Sequence, residues 1–174
     1  MSNIGDVVGP AKRVTGFHSI SKASVGQILG LVEAVDEAGG AADVATISQE
    51  VEMDIDRLGP ILAAAEFLGL LEVEDGDVRM TDLSRKLLSA SVRERKRIVR
   101  DIINAVPVFR HVTEMARSAR RPLEREEIID AIAANVGSRQ AEEVFKALVY
   151  WGRYVELVRY DSVSEQLSLR TPSK

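Results

Sequence analysis

The 174 residues contain no cysteine, which excludes disulfides, thiolate nucleophiles and cysteine-based zinc sites. Histidine is nearly as scarce, with His18 and His111 the only two, so soft metal ligands are few. No run of about 18 apolar residues occurs, and no transmembrane helix is expected. The first residues lack the apolar stretch of a secretory signal, and a cytoplasmic location is the expectation. Phosphate-cradling and nucleophile scaffolds are missing as well. There is no G-x-x-x-x-G-K-[ST] loop, no G-x-G-x-x-G after a strand and no G-x-S-x-G elbow, the usual frames of nucleotide and serine-hydrolase chemistry. The expectation is a protein without enzyme activity or cofactor. His111 and Glu114 stand three apart on an expected helix, but a metal site needs a further ligand; a solvated pair is the simpler reading.

What is present is an uneven charge. Eleven of the 23 basic residues but three of the 27 acidic ones lie between Arg85 and Arg121. Eleven positive against three negative charges leave that stretch at +8, and the chain total of −4 then puts −12 on the rest. Mixed solubilising charge would be spread more evenly, so the segregation points to a partner surface. At 45% hydrophobic residues the chain can bury a core for one domain or two small ones.

Residues 1–21 hold Gly5, Gly9, Pro10 and Gly16 without an apolar period and read as a flexible tail or linker stub; 171–174 form a second short tail. From Ser24, Val25, Ile28, Leu29, Val32 and Val35 recur at helical spacing until Gly39-Gly40. Asp43 offers an N-cap for a short helix carrying Val44, Ile47 and Val51. A third helix begins at Asp54, tolerates Pro60 near its first turns and stops at Gly69. Two extended segments, 70–74 and 78–81, flank Asp75-Gly76, a pair suited to a tight hairpin.

The second half repeats that order. Helices are expected over about 106–118, 122–134 and 138–154, then extended segments over 155–160 and 166–169 around Asp161-Ser162. A shift of 87 positions places Leu58 on Phe145, Ile61 on Leu148, Leu62 on Val149, Phe67 on Tyr154, Leu68 on Val155, Leu71 on Val158 and Val73 on Tyr160. Apolar meets apolar from helix into strand, which favours a structural duplication. The expected fold is therefore mainly α with small β-hairpins: a tandem winged-helix protein, with units at 22–90 and 106–170 joined by a connecting helix at 91–105. On that helix Val92, Ile98, Val99, Ile102 and Ile103 share an apolar face, and Arg93, Arg97, Arg100 and Asn104 share a polar one.

Winged helices often read DNA, with the third helix in the major groove and the hairpin on the backbone. Here the first such helix opens with Asp54, Asp56 and Arg57, and its hairpin carries Glu74, Asp75 and Asp77. In the second unit Glu142 and Glu143 follow Ser138, Arg139 and Gln140 at once, and the hairpin offers Asp161 and Glu165. Carboxylates facing phosphates add repulsion where contacts should release counterions. A winged-helix DNA-binding transcription regulator is therefore the alternative reading.

Residues 25–33 (VGQILGLVE), Gly39-Gly40, Leu68-Gly69, 74–81 (EDGDVRMT), Arg95-Lys96 and above all 151–161 (WGRYVELVRYD) resemble the AAA-associated C-terminal domain found behind the cassette of nitrate, sulfonate and bicarbonate type ABC transporter ATPases. The resemblance spans about residues 24–169, and its most specific block is W-G-R-Y-x-E-L-x-x-Y-D. It implies a non-catalytic accessory or regulatory module that docks an ABC transporter ATPase or its permease, although no cassette motif stands in these residues.

Tyr150, Trp151, Tyr154 and Tyr160, all three tyrosines and the only tryptophan, fall within eleven positions. Such rings serve either as core of the second unit or as interface anchors. Gly152 among them suits close packing, since glycine inside a helix costs about 1 kcal/mol. Arg153 is expected to pair with a carboxylate such as Glu156. The face of Arg93, Arg97 and Arg100 reads as a solvated surface, a dock for an acidic protein or a contact for phosphates. Arg93, Arg97, Arg100, Trp151, Arg153 and Tyr154 are the candidate interaction residues. Homodimerisation is an expectation from fold analogy. Glu124, Glu126 and Glu127 open a helix, where the macrodipole favours them.

Overall fold

The short helix for which Asp43 offers an N-cap starts at that residue. The chain is described by a computed structural model over residues 23–170; both expected tails, and His18, lie outside the described residues. Those residues divide into two units, 23–98 and 99–170. In the first, α1 (Val25–Glu37) is opened by a capping box between Ser24 and Gln27. After Gly39 and Gly40, both at positive φ, come β1 (Ala41–Asp43) and α2 (Val44–Glu50). The Asp43 carboxylate accepts the Thr46 N–H at 2.8 Å. The third helix, α3 (Ile55–Phe67), is capped in the same way by Asp54, which accepts from Arg57 at 2.9 Å. Pro60 lies within it and leaves the Asp56 carbonyl without its helical donor.

A hairpin follows, β2 (Leu71–Glu74) and β3 (Asp77–Met80). Asp75 and Gly76 have φ of 50° and 82°, the two left-handed positions that a two-residue hairpin turn needs. The unit ends in α4 (Asp82–Ser89), a helix additional to those expected, opened by a Thr81–Ser84 capping box. Ile28, Val32 and Val35 of α1, Ile47 of α2, Leu58 and Ala65 of α3 and Val78 of β3 are buried together with Leu71 and Leu87 as its core.

The connecting helix is α5 (Val92–Asn104), and it runs through the division at 98/99. The second unit continues with α6 (Pro107–Ala119), β4 (Leu123–Glu124), α7 (Arg125–Val136), α8 (Ser138–Tyr154), β5 (Val158–Asp161) and β6 (Gln166–Leu169). Pro122 precedes a strand rather than opening a helix; α7 starts at Arg125 with a Glu124–Glu127 capping box. Phe109, Val112, Ile128, Ile132, Phe145, Leu148, Trp151 and Leu167 are buried.

The described residues are thus mainly helical with two small antiparallel sheets, and both units contain the order α-β-α-α-β-β. Each sheet has three strands, in the orders β1-β3-β2 and β4-β6-β5. The outer strands β1 and β4 were not expected, because Ala-Ala-Asp and Leu-Glu carry no alternating pattern; pairing with β3 and β6 makes them strands.

The register of 87 carries through the helix end. Leu68, Gly69 and Leu70 donate to the carbonyls of Ala64, Glu66 and Ala65; Val155, Glu156 and Leu157 donate to those of Trp151, Arg153 and Gly152. The two left-handed residues are Gly69 (φ 76°) and Glu156 (φ 59°). Gly152 is fixed by packing: a Cβ there would stand 2.5 Å from Val158 Cγ2 and 3.4 Å from Phe109 Cε1. That is the steric reason for a glycine in mid-helix.

Candidate protein-interaction surface

The polar side of α5 does not present its arginines alike. Arg93 is exposed and has no ion-pair partner among the described residues. Arg97 is exposed but paired within its helix with Glu94 at 2.9 Å. Arg100 turns inward instead of sharing the cationic face: its Nε donates to the Val155 carbonyl at 3.0 Å, and Nη2 lies 3.8 Å from Glu156. Arg95, between them in sequence, donates to the Leu88 carbonyl at 2.9 Å and approaches Glu33 at 3.5 Å. The apolar side needs one correction. Ile98, Val99 and Ile103 are buried, but Val92 is 76% exposed, because it stands in the first turn, ahead of the buried stretch.

The aromatic block divides just as sharply. Trp151 is 1% exposed and belongs to the core. Tyr150 and Tyr154, one turn apart on α8, are 73% and 55% exposed. Lys146 and Arg153 are exposed on the same helix, and residues 146, 150, 153 and 154 recur at three-to-four spacing, so they share one face. Arg153 does not pair with Glu156; its Nη2 donates to the Tyr160 carbonyl at 2.6 Å, and Glu156 is the carboxylate near Arg100. Tyr160 packs its ring edge to face against Phe145, centroids 5.4 Å apart at 78°, and burial raises its phenol pKa.

Arg125 lies over the Phe145 ring at 5.5 Å and pairs with Glu142 and Glu126. Its hydrogen bond to Glu142 raises its pKa further, so it stays charged. Glu127, held by Arg121 at 2.9 Å, has its carboxyl pKa lowered, chiefly by that guanidinium. These groups tie elements of the second unit together. His111 and Glu114 are exposed on α6, and no group of three or more His, Cys, Asp or Glu gathers for a metal among the described residues. No helix among them is long and apolar enough to cross a membrane.

Residues 45–161, from α2 to the last residue of β5, match the family described as C-terminal AAA-associated domain. The chain belongs to that family. Comparisons with curated proteins and with solved structures give no match. The C-terminal AAA-associated domain match takes in α3 and α8, the hairpin strands β2, β3 and β5 and all of α5. The exposed Tyr150–Tyr154 face of α8 therefore lies within the family's own extent.

Sequence reasoning passed over Tyr150 as a site residue, although it stands a turn before Tyr154. It also passed over Arg159 and Arg170, whose alternation with Val158 and Leu169 marks the solvent side of a strand pair.

Proposed function

We propose that the chain is a non-catalytic accessory module that acts in the cytoplasm on an ABC-type transporter ATPase or its permease, as a tandem of two winged helices. The family match supports the association with an ATPase. The face of α8 supports the mode: two exposed tyrosines beside Lys146 and Arg153 form the kind of aromatic and cationic surface that anchors protein interfaces. Trp151 is withdrawn from that role by its burial, and Arg100 by its bonds to Val155 and Glu156. Arg93, Lys96 and Arg97 are the exposed cations of α5.

The decisive experiment is capture of a nitrate, sulfonate or bicarbonate type cassette ATPase by the full chain. Tyr150→Ala with Tyr154→Ala is expected to weaken capture at least about tenfold, and Arg93→Glu with Arg97→Glu to weaken it less, with unchanged thermal unfolding in both. Unchanged capture by the tyrosine variant would remove the α8 face from the interface. The rival reading, a DNA-binding regulator, is tested by titrating salt against binding to random duplex DNA. A steep loss of affinity with rising salt supports the regulator. The carboxylates of Asp54, Asp56, Glu74, Asp75 and Asp77 favour absence of binding at low salt.

A further inference from the structure

The solvent face of the β5–β6 hairpin forms an open groove of about 670 Å³. Arg153, Arg159 and Arg170 line it, together with the hydroxyl residues Ser162, Ser164 and Ser168. None of the three guanidinium groups has a carboxylate within ion-pair distance among the described residues. Arg153 spends one donor on the Tyr160 carbonyl, and a guanidinium has five. One carboxylate, Asp161, also lines the groove. Its Oδ1 is already taken by the N–H groups of Val163 and Ser164, at 2.8 and 3.2 Å. Three positive charges against one negative leave the lining at +2.

The first unit shows that the fold does not require this charge. Under the shift of 87, Glu66 stands where Arg153 stands, and Glu72 where Arg159 stands. The strand neighbours differ in the same sense. Glu72 lies opposite Arg79 in the β2–β3 register, a compensating pair, whereas Arg159 lies opposite Ser168. Uncompensated like charges on one small sheet face cost stability, and a bound anion removes that cost.

We propose that this groove is a binding site for a small molecule carrying phosphate groups. Arginine forks match the oxygens of a phosphate in bidentate geometry, and serine hydroxyls add donors. The groove exceeds what one inorganic phosphate fills and lies within the roughly 300–1,000 Å³ usual for small-molecule sites. The inference is independent of the docking role of α8, apart from Arg153, and concerns a ligand rather than a protein partner.

The test uses the full chain and three probes, inorganic phosphate, pyrophosphate and poly-glutamate, at fixed ionic strength near 0.15 M, where diffuse surface attraction is screened beyond about 8 Å. Backbone amide shifts of residues 159–170 are expected to move and saturate, with pyrophosphate bound more tightly than phosphate. Arg159→Gln with Arg170→Gln is expected to weaken pyrophosphate binding about tenfold or more. Arg159→Lys with Arg170→Lys keeps the charge but loses the fork, and is expected to fall between. Arg93→Gln with Arg117→Gln, which changes exposed arginines outside the groove, leaves binding intact. Absence of saturation, shifts scattered over every arginine-bearing surface, or equal loss in the Arg93/Arg117 variant would each overturn the proposal. Saturation by poly-glutamate without any response to pyrophosphate would overturn it in favour of an acidic protein partner.

Discussion

Residues 66 and 153 occupy the same place in the two units, in the last turns of α3 and α8, and do opposite chemistry on the same strand residue. The Glu66 carboxylate accepts from the Val73 N–H at 3.3 Å. The Arg153 guanidinium donates to the carbonyl of Tyr160, the residue that matches Val73. In an antiparallel hairpin a residue between ladder bonds turns both its N–H and its C=O outward, so an acid and a base can each satisfy one of the two. The units therefore share a backbone solution, while the sign of charge beside it is free to vary. The apolar positions have far less freedom: Leu58 and Phe145, Ile61 and Leu148, and Leu71 and Val158 are buried in both.

The largest expected break in this equivalence is at Trp151. Its counterpart is Ala64, and both are buried, so the indole occupies volume that the first unit fills by other means. Trp151→Ala is expected to destabilise the second unit by about 3–5 kcal/mol, measured by urea unfolding followed through tyrosine fluorescence and far-UV dichroism. A loss under 1 kcal/mol would place the indole at the surface and restore it as an interface anchor.

A sharper comparison exchanges the left-handed helix ends. Gly69→Ala places a Cβ with room around it, 3.9 Å from Leu83, but at a φ of 76°; the expected cost is about 1 kcal/mol. Glu156→Gly relieves the same strain in the second unit and removes the approach to Arg100. It is expected to change stability by less than about 1 kcal/mol in either direction. A large loss in Glu156→Gly would show that the two caps are not equivalent.

The smallest effect is on pH. Asp43 in the first unit and Asp161 in the second have carboxyl pKa values lowered from 3.8, Asp43 chiefly by the Thr46 N–H and Asp161 by those of Val163 and Ser164. A lowered folded-state pKa means stabilisation that is complete above the ordinary value and lost as pH falls through the folded one. Melting temperature is thus expected to hold from neutral pH down to about 4 and to drop below it. Asp43→Asn and Asp161→Asn are each expected to make the drop shallower, and an unchanged slope in either would mean that the turn does not stabilise its unit.

Local signals were well legible in the sequence. Asp43 caps the helix it announces, the helical patterns expected from Ser24 and Asp54 begin there, Asp75-Gly76 makes the turn, and the spacing of 87 holds from α3 into β2 and from α8 into β5. What was not legible depends on partners distant in the chain. β1 and β4 exist because β3 and β6 offer them an edge, as Met80 donating to the Gly40 carbonyl at 2.9 Å shows. Arg100 sits at the margin of a helical wheel, and its direction is set by a main-chain carbonyl 55 residues away. The wheel also counts Val92 with the buried face, yet a wheel has no sense of where along its axis the core begins. Arg159 and Arg170 were overlooked for a related reason: strand alternation reveals which side is wet, but a groove appears only once two strands and a helix end are assembled.

Outer strands of open sheets invite further strands from other molecules. On β2 and β5 a long side chain from the preceding helix already occupies that line, Glu66 in one unit and Arg153 in the other. Sheet-to-sheet growth at these margins therefore requires first unseating a charged group. Recognition through side chains stays open while polymerisation through main chains is discouraged, a protection built into the single chain.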